Sequence, residues 1–312
     1  MSSSHKPAFR RHLLAPRFWP VWLAVLFVGL LAIVPGRLRA VLGDRLARML
    51  CRGDSRRKRI ALTNLSLCYP QFSQQERLRL LCAHSRVFTH VFLGYGQLLL
   101  RSARHLRRQF DIEGLDMVER VSADGTGIIL LTPHSLALEY AAQRLTLDYP
   151  MVAVVRLHHD NDVLDWVVTR FRTRYQGRIY DNTANVLGVL KQVRAGSWLY
   201  YLPDEDRGDN NAVFAPFYGI PKATVPTLGR LARSCRAAVV PMMTGYSPHT
   251  RRFLIRFHEP LTTLTGEDMQ QDAAMVNRAI ERILDEDRAQ YMWSAKIFRT
   301  RPPGAPDLYR GS

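Results

Sequence analysis

Lysine is almost missing from this chain, cysteine is sparse, and acidic residues are well outnumbered. Of 44 Lys and Arg only five are lysine (Lys6, Lys58, Lys191, Lys222, Lys296), and 27 Asp and Glu leave a net charge of +17 over 312 residues. An excess of that size points to anionic partners: nucleic acid, a phosphate-bearing surface or an acidic protein. The four cysteines (Cys51, Cys68, Cys82, Cys235) form neither a CxxC pair nor a zinc spacing, which removes the zinc-ribbon and dithiol-redox readings. Reduced thiols in a cytosol-facing protein are the expectation. The patterns GxGxxG, GxxxxGK[ST] and GxSxG are all missing, so dinucleotide, P-loop and serine-hydrolase chemistry lack their usual support. With 47% hydrophobic residues, intrinsic disorder is excluded, and the length suffices for one large core or two small ones.

What is present begins at the N-terminus. Residues 18–34, FWPVWLAVLFVGLLAIV, carry no charge. As a helix this run would be roughly 25 Å long, just short of a hydrocarbon core of about 30 Å. Trp19 and Trp22 would sit in the interfacial belt, and Pro35-Gly36 ends the run. A buried core helix and a cleaved signal peptide are the alternatives. Against the signal peptide, nine Lys and Arg follow within residues 37–59 and four precede, and positive charge stays cytoplasmic. The expectation is a single anchor, spanning or deeply interfacial, in residues 1–45, and a body of residues 46–312 on the cytoplasmic side. The basic stretch after the anchor would lie well against anionic headgroups.

Beyond the anchor, residues 55–108 read as helices, with Ser73 and Glu76 forming a capping box. Then short apolar strands alternate with helices. Strands are predicted at 127–132, 151–155, 178–180, 198–202 and 237–243, and helices at 135–147, 163–175, 183–194 and 224–235. FLIRF (253–257) reads as an added edge strand and 273–298 as a helical tail. Strands this apolar are buried on both faces, which predicts an α/β fold with a mixed, mostly parallel sheet flanked by helices. No internal repeat and no Pro-, Gly- or Ser-rich linker divides the body.

The segment most suggestive of chemistry is LLTPHSLALE (130–139). A strand runs into Pro133, which puts His134 at the strand's carboxyl end, where ligands bind in α/β sheets. His134 and Glu139 are five residues apart, about 140° around a helix, so they meet only if His134 lies on the turn before it. A carboxylate on Nδ1 would fix the tautomer and leave Nε2 as a base; a loop histidine beside a solvated glutamate fits the spacing too. His158-His159-Asp160 with Asp162 and Asp165 holds metal-type ligands at no standard spacing. Pro203-Asp204-Glu205-Asp206 follows a strand, where the acids could bind metal, orient a substrate or simply form a turn.

Together these segments resemble the late (secondary) acyltransferases of lipid A biosynthesis, which carry an H-x4-D/E motif. The likeness runs through Pro16-Arg17-Phe18-Trp19, SRRKRIALTNLSLCYPQFSQQER (55–77), HSLALE (134–139), VLDWVVTRFRTRYQGR (163–178), LYYLPDEDRG (199–208), residues 214–242 and AQYMWSAKIFRTRPPG (289–304). The anchor and 199–242 look most like the myristoyl-transferring member, HSLALE like the lauroyl-transferring one. Glu205 departs from the usual Gln or His between the two aspartates. The resemblance implies a glycerolipid-acyltransferase-like fold and transfer of a fatty acyl group from acyl-acyl-carrier protein to a hydroxyl of an acylated lipid A precursor at the bacterial inner membrane. It implies no cofactor, no metal and no nucleic acid, the acyl carrier being a substrate. His134 would be the general base, oriented by Glu139. Arg172 matches the family's arginine downstream of the motif and would donate to the oxyanion; it lies at the margin of a stripe formed by Val163, Val167 and Phe171. Arg156, Arg299 and Arg301 would hold sugar phosphates or the carrier, and Asp204 and Asp206 would shape the site through hydrogen bonds. A related acyltransferase acting on lysophospholipid or another glycolipid, and a non-enzymatic anionic-lipid-binding protein, are the rival readings.

Overall fold

The computed structural model describes residue 5 and residues 8–156, 161–181, 186–208 and 210–311. After two short 3-10 turns comes α1 (Trp19–Ile33), broken by the Val34-Pro35 step before α2 (Gly36–Arg52). The sequence reading did not separate α2 as a helix, and it runs without interruption through residue 45, the boundary expected between anchor and body. Among the described residues, Pro16–Ile33 is the stretch long and apolar enough to cross a membrane, and little of it is buried. One side of α1 packs on the body, while Leu23, Leu26, Phe27 and Leu30 are exposed. α2 buries Gly43 and Ala47 and exposes Leu38, Val41 and Met49.

α3 (Arg56–Cys68), α4 (Gln74–Leu93), α5 (Gly96–Leu100) and α6 (Ala103–Arg108) follow. The Ser73–Glu76 capping box forms, with reciprocal side-chain-to-backbone bonds that satisfy two otherwise unpaired N–H groups at the start of α4. α2 packs along α4, where Arg86 and His90 both hold Asp44. Cys51 and Cys82 are bonded as a disulfide between these helices, their Cα atoms 5.2 Å apart, while Cys68 and Cys235 stay free and buried. This corrects the expectation of four reduced thiols: helix packing brings together two cysteines whose sequence spacing carried no signal.

The body alternates β1 (Phe110–Glu113), α7 (Leu115–Ala123), β2 (Gly127–Leu131), α8 (Leu138–Leu145), β3 (Met151–Val155), α9 (Asp162–Arg172), β4 (Gly177–Asp181), α10 (Val186–Arg194) and β5 (Trp198–Tyr201). A hairpin of β6 (Val213–Phe217) and β7 (Ile220–Thr224) precedes α11 (Leu228–Cys235), β8 (Ala237–Ser247), β9 (Arg252–Phe257) and α12 (Met269–Glu286). The main sheet has the order β1-β9-β8-β2-β5-β3-β4, parallel throughout except for the antiparallel β8–β9 pair. Along β2 successive side chains alternate between faces. Ile129 and Leu131 enter a core with Ile60, Val193, Ile280 and Trp293; Ile128 and Leu130 enter another with Val91, Tyr140, Phe171 and Ile255. Both faces are thus covered by helices, as all-apolar strands require.

FLIRF and the helical tail differ from expectation, and β1, α7, β6 and β7 are elements the sequence reading does not include. FLIRF is β9, but β1 pairs outside it, so it is not the edge. The tail is helical only to Glu286; a 3-10 turn (Arg288–Gln290) follows, and beyond it the backbone turns to the sheet. Tyr291 bridges Ser135, and Met292 N–H donates to the carbonyl of His134. Those tertiary hydrogen bonds replace helical ones.

Candidate active site

β2 and β5 are parallel neighbours in the register Ile129–Leu199, Leu130–Tyr200, Leu131–Tyr201. Each is followed by one residue, a proline and a polar residue: Thr132-Pro133-His134 and Leu202-Pro203-Asp204. Equal offsets from paired positions place His134 beside Asp204. His134 Nδ1 lies 2.7 Å from Asp204 Oδ1, and the His134 backbone N–H donates to Asp204 Oδ2 at 2.8 Å. An ionised carboxylate only accepts, so Nδ1 carries the hydrogen and Nε2 is the ring's other, open nitrogen. Burial alone would depress the imidazole; the Asp204 charge and hydrogen bond outweigh it and hold His134 above its ordinary value. Asp204, 2% exposed, is held below the usual carboxylate range because His134 and Lys222 outweigh the cost of its burial.

The carboxylate on His134 is therefore Asp204, not Glu139. α8 begins only at Leu138, with Ser135 held in its bridge to Tyr291, so the chain between His134 and Glu139 is a fixed loop. Glu139, in the first turn of α8, instead accepts from Arg172: Nε lies 3.2 and 3.1 Å from its two oxygens, and Nη2 closes the fork. Arg172 ends α9, where a Cβ on Gly177 would run into its carbonyl oxygen. Burial would lower the guanidinium; the Glu139 charge outweighs it and raises Arg172. Nη1 is not used by Glu139.

His134, Glu139 and Arg172 line one cavity of about 1120 Å³ whose other walls are mostly apolar, with Phe88, Phe92, Val152, Ile179, Val189 and Leu231 among them. That is somewhat above the range of ordinary small-molecule sites, roughly 300–1,000 Å³. Arg156 lies on the same lining. Asp206, Arg299 and Arg301 do not. Asp206 accepts from Thr300 N–H and Oγ1 and from Gly208 N–H, Arg299 donates to the Asp206 carbonyl, and Arg301 donates to the carbonyl of Pro221. Asp206 and Arg299 thus tie the loop after β5 to the C-terminal segment, and Arg301 ties that segment to β7. The His158–Asp160 cluster lies outside the described residues; Asp162 and Asp165 pair with His12 and His5.

Two residues near Asp204 escaped the sequence reading. Tyr291 is buried against Asp204, and both burial and that charge raise its hydroxyl. Lys222 on β7 is fully buried. Its signal was present: in Ile220-Pro221-Lys222-Ala223-Thr224 it alternates in phase with Ile220 and Thr224 on the face that packs inward.

With this geometry in hand, the comparisons with known proteins fall into place. A family profile described as bacterial lipid A biosynthesis acyltransferase matches residues 6–300. A lipid A biosynthesis acyltransferase of Haemophilus influenzae is 34% identical over 297 residues, 95% of this chain and 92% of that one. The lipid A biosynthesis myristoyltransferase of Escherichia coli is 30% identical, covering 99% and 96% of the two chains, and the lauroyltransferase of the same organism 29%, covering 97% and 99%. The chain belongs to the bacterial lipid A biosynthesis acyltransferase family.

Proposed function

We propose that this enzyme moves a fatty acyl group from the thioester of an acyl carrier protein to a hydroxyl of an acylated lipid A precursor, with His134 as general base. One observation carries the reading: an imidazole fixed through Nδ1 by a buried carboxylate, on the lining of a large apolar cavity. His134 Nε2 takes the proton as the acceptor oxygen attacks the thioester carbonyl. Asp204 holds the tautomer and stabilises the imidazolium. When the tetrahedral intermediate collapses, the C–S bond breaks and the imidazolium returns its proton to the leaving sulfur. Arg172, held in place by Glu139, offers Nη1 to the oxyanion. The apolar walls take the acyl chain, and Arg156 on the lining suits a phosphate. No cofactor or metal is required by this chemistry. The +17 charge suits two anionic substrates. Pro16–Ile33 would hold the enzyme at the inner membrane with the body on the cytoplasmic side, as the basic residues after it favour.

The test is transfer from labelled acyl carrier protein to a lipid A precursor by the purified full chain. The lipid should gain one acyl group in mass, and His134→Ala should lower turnover roughly 10²-fold or more. Near-wild-type turnover in folded His134→Ala, or acylation of lysophospholipid in preference to the precursor, would overturn it.

A further inference from the structure

We propose that α1 does not cross the bilayer: it lies along one anionic leaflet, docked by one face on the folded body and sunk by the other among acyl chains, with both of its ends on the body's side of the membrane. The inference deepens the reading of Pro16–Ile33 as the membrane anchor and rests on it.

Both ends of the helix are tied to the body by polar contacts. Ahead of it, His12 pairs with Asp162 at 3.0 Å and His5 with Asp165 at 3.2 Å, both acids on α9, and the His5 backbone N–H donates to the Ile179 carbonyl of β4 at 2.8 Å. Behind it, Arg101 donates to the carbonyl of Ala32 at 2.7 Å, and Arg39 of α2 to that of Leu31 at 3.2 Å. Between these ends, Val21, Trp22 and Val25 pack in one cluster with Val163, Trp166 and Val167 of α9. α5 closes on the middle of the helix through Gly96, where a Cβ would run into the Val28 carbonyl. Fifteen residues make about 22 Å of helix. In a spanning arrangement the two ends would stand on opposite sides of a hydrocarbon core of about 30 Å. Asp162, Asp165 and Arg101 belong to one body and could not then meet both.

The two faces of α1 account for its composition. Trp22, Val25, Gly29 and Ala32, spaced three and four apart, form the side toward the body, while Trp19, Leu23, Leu26, Leu30 and Ile33 form the other and are exposed. A helix apolar all round is buried in protein or in lipid; this one meets each on a different side. The charges on its flanks fit the same arrangement. Four Lys and Arg precede the apolar run and nine follow within residues 37–59. Positive charge is retained in the cytoplasm, so a helix lying flat leaves both flanks there, whereas a span carries one of them across. α2 then places Arg45, Arg48 and Arg52 around Met49, cations beside an exposed apolar side chain, the pairing that anionic headgroups over acyl chains complement.

The experiment labels introduced cysteines with a membrane-impermeant maleimide in spheroplasts, before and after lysis, with the parent chain as background, since its own cysteines are bonded or buried. Arg10→Cys reports on the chain ahead of α1 and Asp124→Cys on the body, both at exposed positions. Both should be modified only after lysis. Modification of Arg10→Cys before lysis, with Asp124→Cys protected, would make α1 a span and overturn the proposal. Modification of both before lysis would put the whole enzyme on the outer face of the membrane, ending the cytoplasmic reading while leaving α1 flat. A second measurement reads the contact itself. In isolated membranes a short bis-maleimide should bridge His12→Cys to Asp162→Cys within one chain, adding one linker in mass, and this decides the matter where Arg10→Cys stays unmodified after lysis. No bridge, although each cysteine alone accepts a simple maleimide, overturns the proposal. So does recovery of the full chain outside the membrane fraction as a dimer, which would seat a second copy on the exposed face.

Discussion

At the scale of residues, the site holds two carboxylates with two different tasks. Asp204 touches the imidazole and Glu139 touches the guanidinium, so their removal should have different kinetic signatures. Asp204→Asn should lower kcat by about 10²-fold or more and move the acid limb of the pH profile, because the amide can present a donor to Nδ1 and favour the wrong tautomer. Glu139→Gln should lower kcat while leaving that limb in place, because it frees Arg172 rather than His134. Matched pH profiles of the two variants read this directly, and an acid limb displaced by Glu139→Gln alone would reverse the assignment. Arg172→Ala should cost about 3 kcal/mol of transition-state stabilisation, the scale of one oxyanion donor. Arg172→Lys should recover little of it, since a point charge cannot make the two-pronged contact with Glu139. Arg170→Ala, on an exposed position of α9, serves as the control with a small effect.

At the scale of elements, the site is made by strand ends and closed by segments far away in sequence. β2 and β5 supply His134 and Asp204, α8 and α9 supply Glu139 and Arg172, and the stretch after α12 fixes the His134 loop through Tyr291 and Met292. The N-terminal pair of helices has the opposite character: α1 and α2 leave apolar side chains uncovered, Leu23, Leu26 and Phe27 on one, Leu38 and Met49 on the other. Removal of residues 1–36 should therefore release much of the protein from membranes. The fraction left bound should fall as salt rises, because α2 retains Arg45, Arg48 and Arg52 beside its apolar side. Sedimentation with anionic vesicles at two ionic strengths measures both effects; full retention at high salt would show that α1 is dispensable for binding.

At the scale of the whole molecule, the proposed role of His134 as base makes the buried His134–Asp204 pair the expected determinant of the working pH. His134 is held above its ordinary value of 6.5. The stability this contributes is complete below the unfolded value and is lost as pH rises through the folded one. With His134 as the proposed base, catalysis needs the other form: kcat/KM should climb with pH in that same window, with its acid-side midpoint above 6.5. A pH series on the free enzyme at low substrate checks this, and a midpoint below 6 would contradict the arrangement around Asp204. Chain length of the transferred acyl group is a property of the same scale. Identities of 30% to the myristoyltransferase and 29% to the lauroyltransferase do not separate the two.

Much of this was legible one residue at a time. The uncharged N-terminal run, the capping box at Ser73, the alternation of apolar strands with helices and the position of His134 after a strand and a proline are all local, and local sterics and hydrophobic periodicity decide them. The family was legible too, because its ordered motifs run the length of the chain. Only tertiary structure decided which acid reaches the histidine. The five-residue spacing suggested Glu139, yet a parallel register between β2 and β5 brings in Asp204 from 70 residues away. The same holds for Tyr291, which meets Asp204 from the chain beyond α12, and for Cys51 with Cys82 across two packed helices. Strand pairing and helix packing join positions whose separation in sequence carries no trace of the contact, so the partners of a buried charge are settled by the folded core rather than by the motif that contains it.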